Sequence, residues 1–428
     1  MSSPSDPATK KLSFFGLGAM GGGMAAHLAR SGYHVTGYDL YTPLVDTLVS
    51  TGGHAAPTPA EAASSAPVAL IMVATMYQAD ALLFEGSHPA LPSLPESALL
   101  ILHSTCPPSY PPALRARLDA SGRPDVRLLD CPVSGGTIRA GNGTLSIFAS
   151  GPESDLAAAE PILNTLSANL YTIPGGLSAG QKTKAIHQLL AATNIISASE
   201  ALGLATYAGL DTQAVFDTVS AGRGASFMFA NRGPHMLAAD WSVLSAVAII
   251  WKDAGIVVDA ARDAKCPVPL ATAAEQLYSM GNSRGLLRED DAKLVSMYLP
   301  KADAGAVAKL KGNGTKEGKG GVTAETVADL LAGIHLAASV EAMYFCKALE
   351  VDRRVMAEIV SKAAGWCAMF TEHVPAMLVG DEWTLARCKG TDVVRRKLEA
   401  AVDTCRAIGF PCQMGVTALN QYYFAGLA

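Results

Sequence analysis

One stretch of this chain occurs twice, and that repetition limits the folds that the chain can adopt. Residues 180–211 carry apolar side chains at mostly three- and four-residue steps, which predicts one long helix. Residues 327–352 follow the same pattern at a constant shift of 141 residues (352 − 211). The chain therefore contains two related helical segments, and we expect each of them to organise a helical domain.

Three polar positions near the start of this helix differ between the two copies. They are Lys184, His187 and Gln188 in the first copy, and Glu325, Ala328 and Asp329 in the second. A lysine near a helix N-terminus is electrostatically unfavourable, because the helix dipole there prefers anions. Packing alone would keep similar polar residues in both copies. The loss in one copy predicts that only the first copy carries out chemistry.

The repetition continues towards the end of the chain. Residues 258–278 match 402–422 at a shift of 144 (411 − 267), and a Gly/Lys-rich segment between the copies is interpreted as a solvated, flexible linker. The predicted domains are a dinucleotide-binding domain at 1–177, an all-α substrate and catalytic domain at 178–300, the linker at 301–321, and a second all-α domain at 322–428, a degenerate repeat of 178–300.

The composition limits the classes of partner. The 428 residues carry a net charge of −5, which gives no reason to expect nucleic acid or an anionic membrane as a partner. The eight cysteines show no CxxC and no metal-ligand spacing, so we expect buried thiols and no metal site. The N-terminus lacks an apolar signal segment, and no apolar run reaches the roughly 18 residues that a membrane span requires. We expect a soluble, cytoplasmic protein.

A glycine motif near the N-terminus lies between a predicted strand and a predicted helix. The strand is an apolar run at 12–15, the helix spans 20–30, and a second strand at 34–38 ends in Asp39. Glycines in GxGxxG allow a tight turn, the approach of a pyrophosphate to the backbone, and close packing of helix on strand. Together these features predict a dinucleotide site. Its residues are Gly16, Leu17, Gly18, Ala19, Met20, Gly21 and Asp39.

The residue at the end of the second strand indicates which dinucleotide binds. The carboxylate of Asp39 can accept hydrogen bonds from both ribose hydroxyls of the adenosine, and it would repel a 2′-phosphate. No Arg or Lys occurs between Leu40 and Ala60 to bind that phosphate instead. NAD is therefore favoured over NADP.

Further strands lead into loops that could edge the cofactor crevice, because ligands bind beyond the carboxyl ends of parallel strands. Thr75 and Thr105 follow two such apolar strands, at 68–74 and 98–102. The alternative for both threonines is ordinary strand-to-helix turn chemistry.

A third strand, at 126–129, leads into the sequence DCPVSGG, residues 130–136. The small residues Ser134, Gly135 and Gly136 leave backbone N–H groups accessible, which suits a carboxylate ligand. The alternative is a glycine loop that serves only as a hinge.

These motifs, in this order, resemble those of the β-hydroxyacid dehydrogenase family. That family includes 3-hydroxyisobutyrate dehydrogenase and, more distantly, 6-phosphogluconate dehydrogenase. The resemblance covers residues 12 to about 298 and rests on GLGAMGGGM, Ser104-Thr105, DCPVSGG with the later GTL at 143–145, GQKTK, and Lys252-Asp253. With the repeat, it implies an α/β protein in which an N-terminal Rossmann doubly wound sheet precedes two tandem all-α domains, an internal duplication.

The resemblance also implies roles for individual residues. Lys184 matches the catalytic lysine of the family, and Ser134, Gly135 and Gly136 match the loop that holds the substrate carboxylate. Thr105 and Lys252 match residues that line the nicotinamide and substrate region.

One departure from the family pattern concerns the substrate. The lysine is typically followed by a pair of asparagines three and four residues later, whereas this chain has His187 and Gln188. This version is similar to the branch that acts on four-carbon sugar acids such as L-threonate. We interpret both residues as substrate-binding, with His187 shaping the site rather than acting as the base.

The resulting prediction is an oxidoreductase that transfers a hydride between NAD and a small hydroxy acid of the 3-hydroxyisobutyrate or threonate kind. Lys184 acts as general acid and base if its pKa falls from about 10.4 towards about 7–8. The alternatives are a reductase of the same fold that acts on a non-acid ketone, aldehyde or imine, and a non-catalytic NAD-binding scaffold. The second helical domain would supply in cis the surface of a partner subunit, giving a monomeric pseudo-dimer or a homodimer.

Overall fold

The computed structural model describes residues 10–380, 384–387 and 390–426. The chain forms two compact units, Met1–Lys184 and Ala185–Ala428. The finer boundaries predicted at 177, 300 and 321 stay a prediction.

The first unit is built on a six-stranded parallel sheet with the strand order β3-β2-β1-β4-β5-β6. Its strands are β1 (Lys11–Phe15), β2 (His34–Tyr38), β3 (His54–Ala55), β4 (Val68–Ile71), β5 (Leu99–Leu102) and β6 (Arg127–Asp130). The order reverses between β1 and β4, which is the topological switch point where open α/β sheets bind ligands. The sheet is therefore the doubly wound Rossmann sheet that the glycine motif predicts.

Helices cover both faces of this sheet. They are α1 (Gly21–Arg30), α2 (Thr42–Ser50), α3 (Pro59–Ser64), α4 (Met76–Phe84), α5 (Tyr110–Ala120), α6 (Gly136–Asn142) and α7 (Glu153–Leu166), with a short 3-10 helix at Leu91–Ser93. Neighbouring residues of a strand point to opposite faces, so Phe14 packs in one core with Met24 while Phe15 packs in the other with Leu83. All four side chains are fully buried.

A second, three-stranded sheet follows in the same unit, with the order β7-β8-β9. Its strands are β7 (Val133–Ser134), β8 (Leu145–Ala149) and β9 (Ser167–Thr172). β7 pairs antiparallel with β8, and β8 pairs parallel with β9. The chain reaches β7 directly from the end of β6, so the DCPVSGG sequence joins the two sheets.

The second unit is helical and contains the repeat. The helix α8 (Ala179–Ala208) begins in the first unit and continues into the second, and the others are α9 (Thr212–Ala221), α10 (Phe227–Ala238), α11 (Val247–Asp263), α12 (Pro269–Ser283), α13 (Ala306–Lys309), α14 (Ala324–Ala348), α15 (Arg353–Lys362), α16 (Ala368–Gly380), α17 (Thr391–Ile408) and α18 (Gln413–Phe424). Short 3-10 helices lie at Asp291–Tyr298, Pro300–Ala302, Lys319–Gly321 and Leu385–Arg387. A Rossmann sheet followed by duplicated helices confirms the predicted fold class.

The matching aspartates of the two copies have the same role. Asp211 accepts hydrogen bonds from the backbone N–H groups of Gln213 and Ala214 at the start of α9. Asp352 does the same at the start of α15. Both residues are helix N-caps, which explains why the repeat keeps an aspartate at this position.

The two repeats contact each other through pairs of equivalent residues. Phe227 N donates to Trp366 O at 2.9 Å, and Ala368 N donates to Ala225 O at 2.9 Å. Ala368 is the repeat equivalent of Phe227, and Trp366 is the equivalent of Ala225, since 368 − 227 and 366 − 225 both equal 141. Each bond is therefore the other bond with the two repeats exchanged. Such reciprocal contacts are those of an isologous, two-fold interface between identical subunits.

Two buried glutamates make a second reciprocal contact between the repeats. Glu200 on α8 accepts hydrogen bonds from two backbone N–H groups at the start of α18, at 2.9 and 3.0 Å. Its equivalent Glu341 on α14 accepts from two at the start of α12, both at 2.9 Å. A carboxylate at a helix N-terminus binds unpaired N–H donors and is favoured by the helix dipole. Each repeat therefore caps a helix of the other.

The segment between the repeats is not the flexible tether that its composition suggested. Gly312 N donates to the carboxylate of Asp211 at 2.9 Å, and Asp211 N donates to Thr315 O at 3.0 Å. Lys319 Nζ donates to Ile408 O at 2.9 Å. The segment 301–321 is bonded to other parts of the second unit through backbone groups and the Lys319 side chain. The tether interpretation was wrong because composition does not reveal such bonds.

Within the described part of the chain, two helices, α8 and α14, are long and apolar enough to cross a membrane, which corrects the expectation that no apolar run is long enough. Their most apolar stretches are 94% and 89% buried within the protein. Length and composition cannot distinguish a membrane span from the core helix of a helical domain, and the burial here is that of core helices. The seven cysteines in the described part of the chain are buried thiols.

The reciprocal glutamates predict how stability depends on pH. Burial raises the pKa of Glu200 and of Glu341 from 4.5 to about 7. The folded protein then holds protons that the unfolded chain has released, so stability should fall as pH rises from about 5 to about 7. Each pKa unit corresponds to roughly 1.4 kcal/mol. Thermal unfolding midpoints measured across this range test the sign of the slope.

Glu200→Gln and Glu341→Gln should each reduce the slope of the thermal unfolding midpoint against pH. This holds even if the substitution also changes the midpoint at a single pH. The matched control is Glu358→Gln, which removes an exposed carboxylate paired with Lys362. A midpoint that rises with pH in the wild type, or a slope unchanged in both variants, contradicts the raised pKa values.

Candidate active site

The glycine turn has the geometry that a dinucleotide requires. Gly16 has φ +87°, and a Cβ on it would lie 2.4 Å from Met72 O. A Cβ on Gly21 would lie 1.9 Å from Gly16 O, so this glycine allows α1 to pack on the turn. A Cβ on Gly18 would meet nothing within 4 Å. Two glycines are thus required by the protein itself, while Gly18 borders open space where a pyrophosphate can approach the backbone.

Asp39 is held beside this turn. Its carboxylate accepts hydrogen bonds from Leu17 N at 2.7 Å and from Tyr41 N at 2.8 Å. The side chain is half-buried, and each carboxylate oxygen can accept a further bond. Of the other predicted turn residues, Ala19 is exposed and Met20 is half-buried at the start of α1. The turn and Asp39 therefore fit a dinucleotide.

The two predicted threonines lie at the carboxyl ends of β4 and β5. Val73 N donates to Ser104 Oγ at 2.9 Å, which ties these two strand ends together. The hydroxyl of Thr75 accepts from Gln78 N at 3.3 Å in a capping box, so it starts α4 as turn chemistry predicts. Thr105 follows Ser104 directly. A contact of either threonine with the cofactor stays a prediction.

The substrate loop has a backbone that only glycine tolerates well. Gly135 has φ +145° and Gly136 has φ +76°, conformations that residues with a Cβ rarely adopt. Ser134 precedes them in β7 and is 7% exposed. Gly136 is also the first residue of the short helix α6, so the predicted loop ends one residue earlier than expected.

The start of α8 is anchored to the ends of two strands through Gln181. Its Nε2 donates to Ser104 O and to Asp130 Oδ1, both at 2.9 Å, and its backbone N donates to Asp130 Oδ2 at 3.0 Å. Cys106 N donates to Gln181 Oε1 at 3.0 Å. Ser178, directly before the helix, donates its hydroxyl to Pro108 O at 2.6 Å. The anchor residue is thus Asp130, which is 51 positions from Gln181 in sequence.

Lys184 follows this anchor by three residues and is only 5% exposed. Because α8 begins at Ala179, the lysine lies in the second turn rather than the first. The helix dipole acts mainly within the first turn, so burial is the stronger influence on the amine.

The remaining predicted residues form a chain of polar contacts in the second unit. Gln188 Nε2 donates to Asp253 Oδ2 at 2.5 Å, and Lys252 Nζ lies 3.0 Å from Asp253 Oδ1. A carboxylate only accepts hydrogen bonds, so the amide nitrogen of Gln188 must face Asp253. The amide oxygen, Gln188 Oε1, then faces His187 Nδ1 at 3.0 Å. His187 therefore carries a proton on Nδ1, and in the neutral ring Nε2 is an acceptor.

Asp253 is a site residue that sequence reasoning missed. It is 5% exposed, accepts a hydrogen bond from Gln188 and forms an ion pair with Lys252. The available signal was its position directly after Lys252 in the family motif. In the second repeat the equivalents of Gln188 and Asp253 are Asp329 and Lys397.

In the second repeat the residues at these two positions also contact each other, but the carboxylate lies at the first position and its partner at the second. Lys397 Nζ lies 2.9 Å from Asp329 Oδ1 in a partly exposed ion pair. Glu325 stands in place of Lys184, so the second repeat lacks the predicted polar cluster while these two positions remain in contact. Among the described residues, no group of three or more His, Cys, Asp or Glu is placed to hold a metal ion.

The predicted site residues thus fall into groups along the chain. The glycine turn contacts Asp39 directly, and Asp130 and Gln181 tie the loops near Thr105 and Ser134 to the start of α8. Lys184 is the last residue of the first unit, and His187, Gln188 and Lys252 belong to the second.

Comparison with known families covers nearly the whole chain. Residues 11–175 match the family described as the NAD binding domain of 6-phosphogluconate dehydrogenase. Residues 178–298 and again 319–427 match the family described as NAD-binding of NADP-dependent 3-hydroxyisobutyrate dehydrogenase. One family model therefore matches both helical repeats.

The chain is 37% identical to the L-threonate dehydrogenase of Cupriavidus necator over 290 residues, 68% of this chain and 96% of that protein. The chain belongs to the β-hydroxyacid dehydrogenase family. A solved 3-hydroxyisobutyrate dehydrogenase from Salmonella typhimurium is 32% identical, with a TM-score of 0.62, and covers 67% of this chain and 99% of its own.

One solved structure also matches the duplicated part. The 6-phosphogluconate dehydrogenase of Plasmodium falciparum has a TM-score of 0.68 at 14% identity and covers 97% of this chain and 92% of its own, which shows the shared fold. With its dehydrogenase relatives, this β-hydroxyacid dehydrogenase family member is an NAD(P)-dependent oxidoreductase that acts on CH–OH groups.

The glycine turn provides a matched pair of variants. Gly18→Ala adds a methyl group in open space, so the variant should keep the wild-type melting temperature and lose dinucleotide affinity by roughly tenfold or more, about 1.4 kcal/mol. Gly21→Ala places a methyl group against Gly16 O and should destabilise the first unit by about 1–3 kcal/mol. Thermal melting and NADH fluorescence titration separate the two effects. Equal loss of stability in both variants would contradict the assigned roles.

Proposed function

We propose that this protein oxidises the hydroxyl group of a small hydroxy acid with NAD, and that Lys184 is the general acid and base. The substrate class is that of 3-hydroxyisobutyrate and threonate. The observation that carries the proposal is the burial of a lysine three residues beyond Gln181, where α8 is bonded to the ends of β5 and β6. Ligands of this fold bind beyond the carboxyl ends of the strands, which supports a role in catalysis for a buried lysine this close to Gln181 in the helix.

Lys184 can supply the proton transfer that accompanies the reaction. NAD, when bound, accepts the hydride from the carbinol carbon. The hydroxyl must then lose its proton, and a neutral amine within hydrogen-bond reach can take it. Burial disfavours the charged ammonium, which helps to keep such an amine available as a base. In the reverse direction the ammonium returns the proton to the carbonyl oxygen.

Ser134, Gly135 and Gly136 are proposed to hold the substrate carboxylate. The positive φ angles of both glycines turn successive backbone groups in a way that can present N–H donors to one anion. The serine hydroxyl is a further donor. Fixing the acid group would orient the carbinol carbon, which is the main gain from positioning a substrate.

His187 and Gln188 are proposed to select the rest of the acid. They follow Lys184 by three and four positions on α8, the helical spacing that brings residues to one side. The imidazole of His187 can take part in a hydrogen bond with a hydroxyl group of the substrate. This arrangement favours an acid with an additional hydroxyl group, as in threonate, over an unsubstituted aliphatic acid. Lys252 completes the chain of polar groups through Asp253 and is proposed to line the same region.

NAD is proposed as the preferred cofactor. The Asp39 carboxylate is fixed beside the glycine turn by two backbone N–H groups, so it cannot easily turn away from the ribose. A 2′-phosphate would meet this negative charge. The proposed order of preference is therefore NAD before NADP.

The second repeat is proposed to replace a partner subunit. The reciprocal backbone bonds and the exchanged glutamate caps within the second unit support this reading. The working form would be a monomer that contains its own pseudo-dimer, or a homodimer of such chains. The cytoplasm is the proposed location, which suits a protein with buried thiols.

The role of Lys184 has a direct test with a matched control. Lys184→Ala should lower kcat by roughly a thousandfold, within the range for lost acid–base catalysis, and leave the affinity for NADH unchanged. Lys182→Ala removes a half-buried lysine from the same helix and should keep wild-type turnover. NADH formation is followed with a panel that includes L-threonate and 3-hydroxyisobutyrate, with NAD and NADP in parallel.

NAD should give the higher kcat/KM in this assay. Equal turnover by the wild type and Lys184→Ala would remove Lys184 from the mechanism. Tight NADH binding without turnover of any acid in the panel would support a non-catalytic nucleotide binder instead.

A further inference from the structure

The carboxylate of Asp130 has an unusual setting for a charged group. The side chain is fully buried, and burial raises its pKa from 3.8 to about 7 while the bonds from Gln181 and Ser150 oppose that rise. A buried carboxylate contributes little net stability, because desolvation offsets its hydrogen bonds. Its retention is therefore better explained by what it holds in place than by the stability that it adds.

Asp130 and Gln181 join three segments of the first unit. Asp130 ends β6 and opens the sequence that leads to the substrate loop. Gln181 bonds Ser104 O and Cys106 N, the backbone groups on either side of Thr105. Both side-chain ends of Gln181 are satisfied, and the residue is 1% exposed. The start of α8 is thereby fixed in position and in rotation about its axis.

This anchor is absent from the repeat that lacks the lysine. The position equivalent to Gln181 is Val322, since 322 − 181 equals 141, and the position equivalent to Lys184 is Glu325. The helix α14 starts instead with a local capping box between Thr323 and Thr326. The remote polar anchor thus accompanies the copy that carries the lysine, which is also the copy that follows the Rossmann strands directly.

We propose that Asp130 and Gln181 are positioning residues that fix the Lys184 amine at the reacting hydroxyl. The inference rests on the proposed function of Lys184. Lys184 lies three residues from Gln181, a rise of about 4.5 Å along the helix. A shift or rotation of the first turn would therefore be passed to the amine almost undiminished. A misplacement of about 1 Å can lower a rate by roughly a hundredfold.

Two variants of the anchor and one matched control test this proposal. Asp130→Asn places a donor against Gln181 Nε2, and Gln181→Met keeps the length of the side chain without its polar atoms. Asp155→Asn is the control, because Asp155 is also a nearly buried carboxylate of the first unit but pairs with Arg127. For each protein, kcat, KM, the NADH dissociation constant and the melting temperature are measured. Lys184 acylation by trace acetic anhydride is quantified by mass spectrometry.

The anchor variants should lower kcat by roughly ten- to a hundredfold, keep the NADH dissociation constant within about twofold, and change the rate and pH profile of Lys184 acylation. The control should lose melting temperature at most.

Unchanged acylation of Lys184 together with unchanged kcat in both anchor variants would overturn the proposal. Acylation of Lys184 also distinguishes a failure of this proposal from a failure of the proposed function. If the wild type oxidises no hydroxy acid while the anchor variants still alter Lys184 acylation, the proposed function fails and the positioning role stands. If Asp130→Asn does not fold, Gln181→Met alone decides.

Discussion

One buried carboxylate sets the start of the helix on which the polar site residues lie. Asp130 accepts the backbone N–H and the side-chain amide of Gln181, so α8 begins at a defined place on the ends of two parallel strands. Lys184 follows Gln181 by three residues within the same unit, so its backbone position is set by this contact. The glycine turn and Asp39 are set separately, by close packing around β1 and β2.

Packing between the repeats and the polar cluster of the predicted site place different requirements on the two copies. Glu200 and Glu341 occupy equivalent positions and each caps a helix of the other repeat, so both copies must keep them. Gln188 and Asp253 do not cap a helix of the other repeat. Their equivalents in the second copy, Asp329 and Lys397, form an ion pair. Packing is thus conserved by mutual capping, whereas the polar cluster can be lost from one copy without loss of the interface.

Features with local causes could be predicted from the sequence. The helix predicted from Gly180 begins at Ala179, and the strand predicted at 34–38 has those bounds, because apolar periodicity and glycine turns act over a few residues. Asp130, Gln181 and Asp253 received no role, since each acts through a contact distant in the chain. The segment 301–321 was misjudged for the same reason. Its glycines indicate flexibility in isolation, but its backbone is bonded to Asp211.

The proposed contact between the Lys184 amine and the reacting hydroxyl can be observed directly in a crystal structure with NAD and a hydroxy acid bound. Lys184 Nζ should lie about 2.6–3.2 Å from the reacting hydroxyl oxygen, with the acid group at Ser134, Gly135 and Gly136. An acid bound in the crevice with this amine beyond hydrogen-bond reach, or turned towards bulk water, would contradict it.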